Sequence, residues 1–385
     1  MDLKKLERNY DSPFVGKRSR VLRMFLFKER KFLRLLFFLF LVTGILYPYP
    51  YVAMWVGFAF AGYSAIANDS IQTIGTFLSS NADRRWWALW LFLGGIFVTV
   101  MTLGWYVNGG WVDGQWHGDV SFGRLQSKGF EEAPQSFRYL QVAAPLVLLF
   151  LTRLRMPVST TFLLLSAFSS SSTGIIKVLG KSVSGYGIAF ISAIIVWIIL
   201  SKQIKKFVKS KYHPGWRVVQ WIISGLLWAI WLMQDAANIA VFLPRSLNPW
   251  QFTAFVSYIF FGLGLLLYFR GGKIQNIINE KSDTKEIKGA TVIDLVYALV
   301  LLIFYYWSQV PMSTTWVFLG LLAGRELAMK IAPAYKSKRS LKKIFKLIRK
   351  DATNAIIGLL ISIILAILVN PQIQQEIWNS ITGGK

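Results

Sequence analysis

Residues 67–72 read Ala67-Asn68-Asp69-Ser70-Ile71-Gln72 and residues 157–161 read Pro157-Val158-Ser159-Thr160-Thr161. Both patterns return, as Gln234-Asp235-Ala236-Ala237-Asn238 and as Pro311-Met312-Ser313-Thr314-Thr315. Their order is preserved. Each time a carboxylate beside amides closes one apolar segment, two further apolar segments follow, a proline with three hydroxyl residues opens the next, and one last segment ends the unit. Short motifs recurring in register mark an internal duplication, a common architecture among membrane transporters.

The surrounding sequence supplies the membrane. Hydrophobic residues make up 54% of the 385 residues, charged residues 16%, and the mean hydropathy is +0.47. One soluble core could not bury that much apolar surface. A helix needs about 20 mostly apolar residues to cross a bilayer with its backbone polar groups satisfied. Candidate segments lie at 32–47, 50–68, 83–104, 138–154, 156–174 and 185–203, and again at 217–234, 250–269, 290–308, 311–332 and 352–369. The expected fold is therefore an all-α polytopic membrane protein of about 11 spans with discontinuous helices.

Five segments per unit is an odd number, so a second copy would enter the membrane from the opposite side. The expectation is two inverted repeats, at 50–203 and 217–370, behind a leading helix at 32–49. A basic arm at 1–31, a basic linker at 204–216 and a tail at 371–385 complete the division.

The net charge of +25 is spread in short runs between apolar segments rather than gathered on a soluble domain, which excludes a nucleic-acid partner. The arm through Arg34, Lys202 to Arg217, Arg270 to Lys288 and Lys336 to Lys350 are assigned to the cytoplasm, with the N-terminus. Asp113, Asp119, Glu131 and Glu132 put the stretch from Trp105 to Phe137 on the opposite face. A bacterial plasma membrane is the expected location. With no cysteine, disulfides, thiolate metal sites and cysteine nucleophiles are excluded.

The motifs have a physical reading. A carboxylate in a membrane segment costs about 2.5–3.5 kcal/mol unless it meets water, a cation or a donor. Asp69 and Asp235, each beside an amide (Asn68, Gln234), are therefore expected to hold the coupling ion, sodium or a proton, and no other cofactor is expected. A proline before Ser-Thr-Thr breaks or starts a helix and leaves amides and hydroxyls pointing at the break, a setting for an anion. Ser159, Thr160, Thr161, Ser313, Thr314 and Thr315 are the expected substrate-binding residues, joined by Gln72 and Asn238. The alternative for the amides is glue between helices.

With these residues quoted, the chain resembles the inorganic phosphate transporter (PiT, sodium-phosphate symporter) family, whose halves carry Ala-Asn-Asp-Val-Ala-Asn and Pro-Val-Ser-Thr-Thr-His motifs. Ala67, Asn68 and Asp69 match the first motif, with Gln72 at its second Asn. Asp235 and Asn238 match the second copy, with Gln234 in place of the leading Asn, and both Ser-Thr-Thr runs match. Phe162 and Trp316 replace the family histidine. The resemblance implies an inverted-repeat fold, a homodimer and phosphate uptake driven by sodium or protons; related members carry sulfate.

Other features read as scaffold. Ser169 to Thr173 is placed on the same segment as the first Ser-Thr-Thr and packs helices closely or lines a polar path. Arg325 and Glu326 are expected to pair, with a gating role as the alternative. His117 and His213 are too far apart in topology for a metal site or a triad, so no catalytic residue is assigned and no enzyme is expected. Two functions stand beside phosphate symport: sulfate permeation on the same fold, and translocation or binding of a lipid-linked phosphate.

Overall fold

The computed structural model describes residues 27, 29–126, 130–153, 159–169, 172–269, 286–307, 311–332 and 340–382. Among them, seven helices are long and apolar enough to cross a membrane. Their outward faces carry large apolar side chains such as Ile222, Phe261 and Ile364, which suit lipid rather than water. The chain is an integral membrane protein of all-α architecture.

Helix α1 (Arg30–Leu46) leads into α2 (Pro50–Ala65), a wide π-turn (Ile66–Ser70) and α3 (Ile71–Ser80), which run on as one helix. After α4 (Trp86–Val107) come strands β1 (Gly109–Val112) and β2 (Gln115–Gly118). Asp113 and Gly114 join the strands at φ 47° and 76°, the left-handed pair that a two-residue hairpin turn demands. A short 3₁₀ turn (Arg124–Gln126) precedes α5 (Tyr139–Arg153). A second π-turn (Thr161–Leu165) and the single turn α6 (Ser166–Phe168) precede α7 (Ser172–Ile199) and α8 (Ser201–Lys209).

The second half holds α9 (Gly215–Ala240), α10 (Pro249–Tyr268), α11 (Ile287–Trp307), α12 (Thr314–Ile331), α13 (Leu341–Val369) and α14 (Pro371–Thr382). Helix α10 starts on a reciprocal cap in which Asn248 and Gln251 satisfy each other's backbone amides, with Pro249 at the first helical position. Buried Lys288 donates to the carbonyls of Phe207, Ser210 and Lys211, capping α8 from α11.

Contacts recur in pairs between the halves. Helix α2 packs on α5 as α9 packs on α11, and α4 packs on α9 as α10 packs on α2. The last helices cross over: α7 packs along α12, and α13 packs on the Thr161–Leu165 turn. The α7–α12 seam is the most extensive among the described residues, and glycine makes it so. A Cβ on Gly320 would stand 2.3 Å from the Tyr186 carbonyl oxygen, and one on Gly324 would stand 2.2 Å from that of Phe190. Four residues apart on one helix, they let two backbones touch as small-xxx-small pairs do in membranes.

Several expected boundaries move. The segment expected at 50–68 continues to Ser80, because a π-turn widens the helix at Asp69 instead of ending it. The segment expected at 156–174 is not one helix: the chain leaves helical geometry at Ser169, whose backbone is extended, and α7 starts afresh at Ser172. The break thus falls at Ser169; Ser170 and Ser171, with Pro157, Val158 and the runs 1–26, 270–285 and 333–339, lie outside the described residues. The segment expected at 185–203 begins 13 residues earlier as α7. Parts of the linker and the tail are helical, as α8 and α14.

Gly320→Val should force the α7–α12 backbones apart and destabilise the protein by about 1–3 kcal/mol. Thermal unfolding in detergent checks this, with Gly187→Ala, which meets nothing within 4 Å, expected to stay near wild type.

Candidate functional site

The two motif copies meet inside the protein. Ser159 caps its turn by accepting from the Phe162 amide at 3.2 Å, and Ser313 caps α12 by accepting from the Trp316 amide at the same distance. The serines thereby satisfy orphan amides of their own helix starts, and the threonines are left to face across. Thr161 donates to the Met312 carbonyl at 3.1 Å, so the first run is bonded to the residue that precedes the second. The residues after them, Phe162 and Trp316, pack with ring centroids 5.3 Å apart.

Both carboxylates join this contact. Thr315 reaches Asp69 Oδ1 at 3.5 Å and Thr314 donates to Asp235 Oδ2 at 2.5 Å, so neighbouring threonines of α12 hold one aspartate each. Thr160, from the other run, faces Asp69. Asn238 donates to the Thr161 hydroxyl at 3.1 Å. Asn68 donates to Asp69 Oδ1 at 2.7 Å, and Gln72 donates to the Asn68 side-chain oxygen at 3.0 Å, one turn on. All twelve residues named from the sequence are buried, and Asp69 and Asp235 lie near enough for each to feel the other's charge.

The cluster is incompletely satisfied. Among the described residues, Gln234 Oε1, Asp235 Oδ1, Asn238 Oδ1 and Thr160 Oγ1 are buried with no hydrogen-bond partner. Three of them are acceptor oxygens from one stretch of α9, and acceptors alone suit a hard cation, which takes oxygen ligands. Gln234 spends its amide on the Leu301 carbonyl at 2.8 Å, which leaves its oxygen as the open group.

Several site groups escaped sequence reading. Trp231 donates to the Thr314 hydroxyl at 3.2 Å and Tyr297 donates to the Thr314 carbonyl at 3.0 Å, fixing the start of α12. Ser182 of α7 accepts from the Ser313 amide at 2.8 Å. Asp294 of α11 is fully buried, accepting from Ser224 at 2.6 Å and from Thr76. A lone carboxylate inside the apolar run 290–308 was a readable signal for it. Arg124, from the loop between β2 and α5, is fully buried against α9 and α11. Arg325 and Glu326, expected to pair, do so at 3.3 Å, apart from the cluster on α12.

Thr161→Val removes the bond joining the two motifs while keeping side-chain volume, so a loss of about 0.5–1.5 kcal/mol in stability is expected. Chemical unfolding of the purified chain in micelles checks it, and an unchanged midpoint would mean the contact contributes nothing.

No protein-family profile and no curated protein sequence matches this chain. Among solved structures the chain is similar to one titled "The sodium-dependent phosphate transporter", with a TM-score of 0.53 and 16% sequence identity. The match covers 84% of this chain and 97% of that one. At that identity the similarity speaks of backbone arrangement, and the chain shares that transporter's fold.

Proposed function

We propose that this protein is a secondary active transporter that carries an inorganic oxyanion, phosphate in the first place, together with sodium ions or protons by alternating access. The observation that carries this reading is the convergence of two hydroxyl runs and two carboxylates, each drawn from both halves, around acceptor oxygens that lack donors. The neighbour's title, a sodium-dependent phosphate transporter, agrees with it.

The charges dictate the coupling. Two buried carboxylates repel an anion, so phosphate can settle beside them only when cations neutralise them first. In this reading Asn68, Asp69, Gln234 and Asp235 hold the cations. Ser159, Thr160, Thr161, Ser313, Thr314, Thr315, Gln72 and Asn238 then donate to the oxyanion after the hydroxyls turn from the carboxylates to the substrate. The paired contacts between halves support a division into inverted repeats at 50–203 and 217–370, whose relative rocking would expose the site to each side in turn. A cytoplasmic N-terminus, a bacterial plasma membrane and a homodimer belong to the same proposal.

A second reading is favoured by one feature. Trp316 borders a cavity of about 130 Å³ between α7, α12 and α13, lined otherwise by Tyr186, Leu319, Ile348 and Ile356 and by one carboxylate, Asp351, among others. A largely apolar chamber that begins at the residue after Thr315 suits the tail of a lipid-linked phosphate. Sulfate on the same site is the nearer alternative, since it differs from phosphate chiefly in carrying no proton at neutral pH.

Uptake of labelled phosphate and sulfate into proteoliposomes, with and without a sodium or proton gradient, tests the proposal. Gradient-dependent phosphate uptake is expected, with Asp69→Asn and Asp235→Asn each lowering it at least tenfold while inserting normally, the equivalent of about 1.4 kcal/mol or more in transition-state terms. No gradient-dependent uptake of either anion would refute it, and wild-type rates in both variants would make the carboxylates structural.

A further inference from the structure

The loop between β2 and α5 is built around one arginine. Asp119 Oδ1 accepts from the Ser121 amide at 2.6 Å, and its Oδ2 accepts from the Ser121 hydroxyl at 2.9 Å and the Gly123 amide at 2.8 Å. The Ser121 hydroxyl in turn accepts from the Leu125 amide at 3.3 Å. Phe122 and Gly123 take φ of 54° and 73°, a reversal that aims the next residue inward. The Phe122 ring seats where a Cβ on Gly104 would clash, pinning the reversal to α4. Arg245, just beyond α9, grips the same loop through the carbonyls of Phe130 and Glu132.

The residue so aimed is Arg124, which is 0% exposed. Its Nε donates to the Met233 carbonyl at 3.2 Å, and its guanidinium carbon stands 5.1 Å from the centre of the Tyr305 ring. Gln234 bonds the Leu301 carbonyl one turn back along α11, so the guanidinium lies on the same α9–α11 seam, about one turn along from the stretch of α9 that carries the open oxygens of Gln234, Asp235 and Asn238. Its charge is felt at Asp235, and also at Lys181 of α7. Burying a guanidinium is costly, and a loop pinned at so many points holds it there at that cost.

We propose that Arg124 and the coupling cation compete for Asp235, so that cation binding frees the guanidinium's charge for the oxyanion. The inference rests on the site's reading as an oxyanion and cation site, and it adds how the two ligands communicate. Without a bound cation, carboxylate and guanidinium neutralise each other and the anion meets little positive charge. Once a cation takes the open oxygens of Gln234, Asp235 and Asn238, the local charge rises by one. The planar guanidinium then offers its forked donors to the oxyanion, a match that a lysine ammonium lacks. Arg124 is thus a specificity and coupling residue supplied by a loop, separate from both motif pairs.

The test is calorimetric titration of the full chain in lipid nanodiscs, with sodium chloride and inorganic phosphate as the two probes, for wild type, Arg124→Gln and Arg124→Lys. Arg124→Gln should strengthen sodium binding and weaken phosphate binding, each on the order of tenfold. Arg124→Lys should keep the sodium affinity near wild type and still lose phosphate affinity, because the fork is gone while the charge remains. The opposite signs are diagnostic, since an arginine that only braces the loop would weaken both affinities together. That parallel loss, or both affinities within twofold of wild type in both variants, would overturn the proposal. If wild type binds sodium and transports phosphate while the variants show either result, the transport reading stands and only the competition is removed. If Arg124→Gln fails to fold, Arg124→Lys decides alone, and unchanged phosphate affinity in it would overturn the proposal.

Discussion

Two carboxylates buried in a membrane protein within reach of each other's charge are the constraint on which this structure turns. Each of Asp69 and Asp235 costs several kcal/mol to bury uncompensated, and their mutual repulsion adds to that. The molecule answers with hydroxyls and amides drawn from separate helices: Asn68 from the same turn as Asp69, and Thr315 and Thr314 from α12. Helices that must deliver donors to one point cannot pack freely. The π-turn at Ile66–Ser70, the break at Ser169 and the close α7–α12 seam through Gly320 and Gly324 all serve that convergence.

The donors supplied are neutral, and they leave acceptor oxygens over. A site that has more acceptors than donors, with two formal negative charges, is poised for cations, whereas the hydroxyls that now point at carboxylates are the same groups that could turn to an oxyanion. In the proposed function this exchange of partners is what makes the two ligands interdependent. In the proposed competition Arg124 enters the same balance from outside the repeated motifs, which would give the loop between β2 and α5 a part in coupling.

Much of this was legible in the sequence because membrane burial makes polar residues conspicuous. Asp69, Asp235 and the two Ser-Thr-Thr runs stand out against apolar neighbours, and their recurrence in the same order is enough to group them. Helix limits were less legible. Nothing in Asn68-Asp69-Ser70 distinguishes a helix that ends from one that widens and continues, since both leave polar side chains facing inward, and the chain runs on to Ser80. The extended backbone at Ser169 depends on packing against α13, a contact some 200 residues away in sequence, marked by the bond from Asn370 to the Ser169 carbonyl. Arg124 was hidden for a related reason: an arginine in a polar loop reads as solvated, and only the Asp119 turn, spelled by side chains three to five residues away, points it inward.

If carboxylates and hydroxyl runs form one site, cation and anion must bind it interdependently. Equilibrium binding obeys reciprocity: if sodium or protons raise phosphate affinity by some factor, phosphate must raise the affinity for that cation by the same factor. The direct measurement is phosphate binding to the purified wild-type chain at saturating and at vanishing sodium, repeated across pH, with the cation titrated in turn at fixed phosphate. A single shared site predicts reciprocal enhancement of about 5- to 150-fold, the ordinary range for coupled sites, by at least one of the two cations. Phosphate affinity that is indifferent to both sodium and pH would contradict it.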